Sequence, residues 1–157
     1  MVIRQAQGAD AEALADLYRS LVADLSINVL PERLEMLAAD PHTYLLVCEV
    51  EGVVCGTALL TLCLDAMYGN QPYGLLENVV VTEGRRSHGI GSRMLRYVEE
   101  LCRRHDCSKM MLLSADTRLE AHRFFERRGF SGTKRGFVRY RRQFDALQGD
   151  TQDVFTK

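Results

Sequence analysis

No apolar run in the chain approaches the ~18–20 residues that a membrane-spanning helix needs, and the opening MVIRQAQGADAEAL lacks the basic-then-apolar layout of a secretory leader. The expectation is a cytoplasmic protein with no membrane partner. The five cysteines, Cys48, Cys55, Cys63, Cys102 and Cys107, are odd in number and have no CxxC spacing. They are read as reduced core or near-surface thiols, not as a disulfide framework or a metal site. There is no internal repeat, low-complexity stretch or linker. The basic residues do not form the basic-aromatic motif of a known nucleic-acid-binding module, so no nucleic-acid partner is expected.

What is present suits one compact domain: 157 residues, 46% hydrophobic and 26% charged. Residues 1–144 are taken as that domain and 145–157, which show no period, as a mobile tail. Net charge is only −1, yet its distribution is uneven. Residues 1–84 hold 3 Lys/Arg against 12 Asp/Glu, residues 85–142 hold 16 against 6, and the tail 1 against 3. Two readings stay open: fields of opposite sign for ligands, or solvated helix faces.

Hydrophobic periodicity sets the element order. VIRQA is a short strand. Gly8–Leu25 is a helix with Leu14, Leu17, Leu21 and Leu25 in phase and Asp10 as N-cap, and Pro31 opens a second short helix that Pro41 closes. TYLLVCEV, the turn Glu51-Gly52 and VVCGTALLTLCL form a hairpin. GLLENVVV is a buried strand interrupted by Glu77 and Asn78. GIGSRMLRYVEELCRRHD is a helix with Ile90, Met94, Leu95, Val98, Leu101 and Cys102 on one stripe. SKMMLLSA is a strand, TRLEAHRFFERRG a helix ended by Gly129, and the alternating GFVRYRRQF a last strand. The class is α/β, with a mixed sheet sheltered by helices.

Between the fourth strand and the third helix runs RRSHGIGSRM. A glycine-bearing turn that opens a helix offers unpaired amides and the positive end of the helix dipole to an anion. It is not a P-loop, because no Gly-Lys follows. It is not the dinucleotide fingerprint, because the third glycine is missing. Arg86-Ser87-His88-Gly89-Ile90-Gly91 does satisfy [Arg/Gln]-x-x-Gly-x-[Gly/Ala]. Together with VVVTEGRR before it and AHRFFERRGF after it, this resembles the GNAT superfamily of acyl-CoA-dependent N-acyltransferases, over roughly residues 2–144.

That resemblance implies a mixed, mostly antiparallel sheet of six to seven strands with about four helices. It also implies acetyl-CoA as co-substrate, no metal, and a primary amine, most simply of a small molecule, as acceptor. The amides of Arg86, Ser87, His88, Gly89, Ile90, Gly91 and Ser92 would hold the pyrophosphate. The backbone of Val79 and Val81 would pair with the pantetheine arm, against which Phe124 and Phe125 would pack. Arg86, Arg118 and Arg128 are candidate phosphate contacts.

Glu77 is the candidate general base, since a carboxylate in a buried strand is costly unless paired or functional. Its other reading is a structural partner for a nearby arginine or amide. Phe125 stands where the family often has a tyrosine that protonates the thiolate, so water, Tyr140 or Ser114 would replace that group. This departure keeps a second reading open, an acyl-CoA-binding sensor with little or no turnover. A peptide acceptor is a third. His88 and His122 are assigned to turn and helix surface. Asp65, Tyr68 and Tyr73, with Tyr18, Arg19 and Asn28, are the candidate acceptor pocket by position in the family fold. The resemblance also allows a homodimer joined at GFVRYRRQF.

Overall fold

The computed structural model describes residues 1–143. They divide into two compact units, the first Met1–Ala115 and the second beginning at Asp116.

The first unit is one sheet between helices. Its strands are β1 (Val2–Gln5), β2 (Thr43–Val50), β3 (Val53–Cys63), β4 (Tyr73–Val81) and β5 (Met110–Leu112), and they lie in the sheet in that order. The first four pair antiparallel; β5 joins β4 in parallel after the crossover helix α3 (Ile90–Arg104). The β2–β3 hairpin closes on Glu51 and Gly52 at φ of 55° and 78°. Two successive left-handed residues match the right-handed twist of the strands they join.

Helices α1 (Ala11–Val22) and α2 (Pro31–Ala39) cover one face of the sheet. Leu14 and Leu34 pack there with Ala6, Leu45 and Val47, all buried. Pro31 occupies the first turn of α2, where its missing N–H is not needed. Asp10 does sit at the N-cap of α1, but its carboxylate turns back to accept the Gln7 amide at 2.8 Å and both Arg4 Nη atoms at 2.8 and 2.9 Å. On the other face, the expected stripe of α3, from Ile90 to Cys102, is buried. Glycines let that helix close on the sheet: a Cβ at Gly74 would stand 2.8 Å from Cys102 Sγ, and one at Gly56 3.1 Å from Met94 Sδ.

In the second unit, α4 (Leu119–Glu126) is followed by Gly129 at φ 88°, and Phe125 packs edge-on against Phe124 and Phe130. The expected last strand is not formed within the described residues. Phe137 and Val138 are exposed, and Arg141–Gln143 make a 3-10 turn. Alternation prepares a ribbon for a sheet, but a strand exists only where a neighbouring edge supplies its hydrogen bonds. The sheet therefore has five strands among the described residues, not six to seven, while the four helices are as expected. The expected tail, 145–157, lies outside the described residues.

Candidate functional site

Strand β4 is the centre of the site because it is irregular in two ways. Opposite β3, Thr57 pairs with Val80 and Leu59 with Glu77, so Asn78 and Val79 together face Ala58 alone. This is a β-bulge, and Asn78 takes the left-handed conformation, φ 53°, that an asparagine tolerates. On its other side, β4 pairs with β5 only at Gly74, Leu75 and Leu76. The strands then part, and β5 leaves the edge of Glu77–Val81 open. Val79 and Val81, the expected pantetheine partners, stand half-buried on this stretch.

Glu77 corrects an expectation: its side chain is exposed, not buried. It follows the last residue that β5 covers, so the sheet opens at that point. Its orientation follows from register. Cross-strand partners share a face, and Leu45, Leu59 and Glu77 are successive partners. Glu77 therefore faces the side on which α1 and α2 lie.

On that side is a cleft of about 480 Å³ between the α1–α2 segment and the sheet. Asn78, Leu45, Tyr18 and Asn28 line it, and apart from Arg33 the remaining lining residues are aliphatic. Tyr18 is half-buried, and burial raises its pKa. Of the six residues expected to line an acceptor pocket, Tyr18 and Asn28 border this cleft. The other four are elsewhere. Arg19 ties down the loop through the Ile27 carbonyl at 3.3 Å. Asp65 accepts the Met67 amide and Tyr68 is exposed, both in the β3–β4 loop, while Tyr73 at the start of β4 has Lys109 Nζ 5.0 Å from its ring centroid. Sequence reasoning missed the bulge at Asn78 and the place of Arg33. The tolerance of asparagine for left-handed backbone was the only local hint of the first.

Past Val81, residues 86–89 form an exposed turn that enters α3. Ser87 and Gly89 are left-handed at φ 67° and 77°. The amide of Arg93 donates to Gly89, so those of Ile90 and Gly91 precede the first helical bond and point out of the helix start. His88 Nδ1 lies 2.8 Å from the Arg86 carbonyl, as a turn residue would. The Arg86 guanidinium bends back to the Val81 carbonyl at 3.3 Å. Arg118, Phe124, Phe125 and Arg128 belong to the second unit, where Arg118 is the N-cap of α4 and the Arg128 guanidinium sits 6.0 Å from the Phe124 ring centroid. His122 lies within α4. Ser114 Oγ is buried without a hydrogen-bond partner among the described residues, just beyond β5.

The model of the GNAT acetyltransferase family matches residues 13–130, about three quarters of the chain, from within α1 to the end of the AHRFFERRGF motif. The chain belongs to the GNAT family of acetyltransferases. It is an enzyme of the acetyl-CoA-dependent N-acetyltransferase class. A protein from Agrobacterium tumefaciens strain C58 named as an acetyltransferase superposes with TM-score 0.80 at 29% identity, over 89% of this chain and 99% of that one. Glucosamine-6-phosphate N-acetyltransferase from Arabidopsis thaliana shares the fold with TM-score 0.79 at 21% identity, over 88% of this chain and 97% of that one. AAC(6')-Iy, solved with the bisubstrate analogue CoA-S-monomethyl-acetylneamine, superposes with TM-score 0.75 at 21% identity, over 89% and 97% of the two chains.

The five cysteines of this GNAT protein are free, and none lines the cleft. Burial pushes the Cys102 thiol up to about 12 and the Cys48 thiol above its ordinary value. At neutral pH these groups are protonated and poor nucleophiles. Among the described residues no helix is long and apolar enough to cross a membrane, and no three His, Cys, Asp or Glu side chains gather as ligands.

Proposed function

We propose that this acetyltransferase moves an acetyl group from acetyl-CoA to a primary amine of a small molecule held in the cleft beside Asn78, by direct attack with Glu77 as general base. The observation that carries the reading is that strand β4 bears the candidate base, an open backbone edge and one wall of the cleft. The open edge of β4 offers the backbone of Val79 and Val81 to an extended amide-bearing arm, as an added strand pairs with a sheet edge. The turn that follows offers amides to a pyrophosphate. The bulge, Asn78 and Val79, follows Glu77 directly on the strand that also lines the cleft.

The amine must be neutral to attack the thioester carbonyl. The C–N bond forms, the C–S bond breaks, and one proton leaves the nitrogen while the thiolate gains one. Glu77, exposed on the cleft side of the sheet, takes the first proton directly or through water. Backbone amides of the bulge are suited to the developing oxyanion. Phe125 has no hydroxyl for the second transfer, and Ser114 Oγ, buried without a partner where β5 ends, takes that role. Free thiols in a chain of this kind agree with a cytoplasmic site of action.

The test is release of CoA thiol from acetyl-CoA with pooled amines. Glu77→Gln should lower turnover by about 10²–10⁴-fold, the usual range for a lost general base, with acetyl-CoA affinity kept. Unchanged turnover would remove Glu77 from the mechanism. Phe125 favours the second reading, a sensor. Acetyl-CoA binding with no thiol release from any pool is the result that would select it.

A further inference from the structure

We infer that Arg33 selects the acceptor: the cleft takes a primary amine with an aliphatic body and one anionic group, and it rejects polycationic amines. The inference rests on the acetyl-transfer reading of the cleft and names the substrate class for it.

The first 84 residues hold only three cations, Arg4, Arg19 and Arg33, among 12 acidic residues. Two of the three are neutralised. Arg4 is held by Asp10 at 2.8 Å and Glu49 at 2.9 Å, and Arg19 by Asp16 at 2.7 Å. Arg33 makes no ion pair among the described residues, although Glu32 and Glu35 share its helix. Glu35 is engaged elsewhere, accepting the Gly8 amide at 2.6 Å. Helical spacing puts Arg33 on the face of α2 that carries Leu34 and Leu37, and all three line the cleft.

Arg33 is also the one charged side chain among the lining residues, the others being aliphatic apart from Tyr18, Asn28 and Asn78. No acidic residue is among those that line the cleft, although Glu77 stands next to Asn78 on the same side of the sheet. Arg33 borders the cleft but is itself exposed, so water screens its charge in part. It binds a carboxylate, phosphonate or phosphate through a planar fork of donors. It repels an ammonium group, which gives selection by exclusion as well as by attraction.

The experiment compares kcat/KM for matched acceptors, 6-aminohexanoate with hexylamine and leucine with leucinamide, alongside spermidine, in the wild type and in Arg33→Gln. Because Arg33 is exposed, its replacement leaves the core intact. The anionic member of each pair should be preferred by about tenfold or more, the usual scale of one charge-assisted contact. Arg33→Gln should abolish that preference through KM, the anionic member of each pair losing more than its neutral partner. No preference in either pair, a lead for spermidine, or an equal loss for both members of a pair overturns the inference. If no amine is acetylated, calorimetric titration with 6-aminohexanoate decides. Binding by the wild type that Arg33→Gln loses keeps the anionic site and rejects acetyl transfer; equal binding by both, or by neither, rejects the site as well.

Discussion

Replacing Asp10 by Asn tests the best-defined polar cluster of the fold. Its carboxylate is 8% exposed and accepts three hydrogen bonds, two from Arg4 and one from the Gln7 amide. Asn keeps the shape and removes the charge. Breaking a fully buried pair costs about 3–5 kcal/mol, and an exposed pair is worth about 0–1 kcal/mol. Arg4 is 30% exposed, so water shares its charge and the expected loss lies between these limits, about 2 kcal/mol at pH 7. At roughly 2–4 °C per kcal/mol for a chain of this size, Tm falls by about 4–8 °C.

The pH dependence gives the same reasoning a second readout. The Arg4 hydrogen bonds, opposed by burial and helped by the Gln7 amide, hold the Asp10 carboxyl below its ordinary value of 3.8. A depressed carboxylate stabilises the fold fully above its unfolded value, and that contribution disappears as pH falls through the lower folded value. Asn does not titrate. Denaturant unfolding of both proteins from pH 7 to pH 3 should therefore show the gap at full size near neutrality and closing in acid. A gap under about 0.5 kcal/mol at pH 7 would refute the magnitude, and a gap unchanged down to pH 3 would refute the electrostatic cause.

Two further substitutions separate backbone conformation from packing. Gly89→Ala meets no atom within 4 Å, so its cost is left-handed backbone strain alone, about 1 kcal/mol by thermal unfolding; calorimetry should show weaker acetyl-CoA binding, and unchanged affinity would argue against this turn as the pyrophosphate site. Gly74→Ala overpacks the α3 face by about 1–3 kcal/mol, and Cys102→Ala in the same chain should recover part of the loss, measured as a coupling between the two sites.

Local pattern announced the elements whose burial is one-sided. The α3 stripe from Ile90 to Cys102 is buried as its spacing requires, and the hairpin turned at Glu51 and Gly52 where two residues of positive φ were needed. The glycine turn was legible for a related reason, since its residue types answer to backbone conformation. What sequence did not carry was the consequence of neighbours. Glu77 read as buried because β4 is apolar around it, yet its side chain is exposed on the face that α1 and α2 cover only in part. The last strand alternated correctly and found no edge among the described residues. Arg33 carried no signal in the sequence; only the cleft that it lines with Asn28 singles it out.

Strand order in the sheet repeats strand order in the chain, β1 through β5. Each strand finds its place beside the one made just before it, so closing the sheet never waits for a segment not yet synthesised. Low sequence separation between partners, as in the β2–β3 hairpin, favours rapid folding, and folding from the N-terminus during synthesis is the general order for chains emerging from a ribosome. The antiparallel part, through Val81, can form before α3 leaves the exit tunnel. The crossover to β5 then adds a partner to only the first part of an assembled edge.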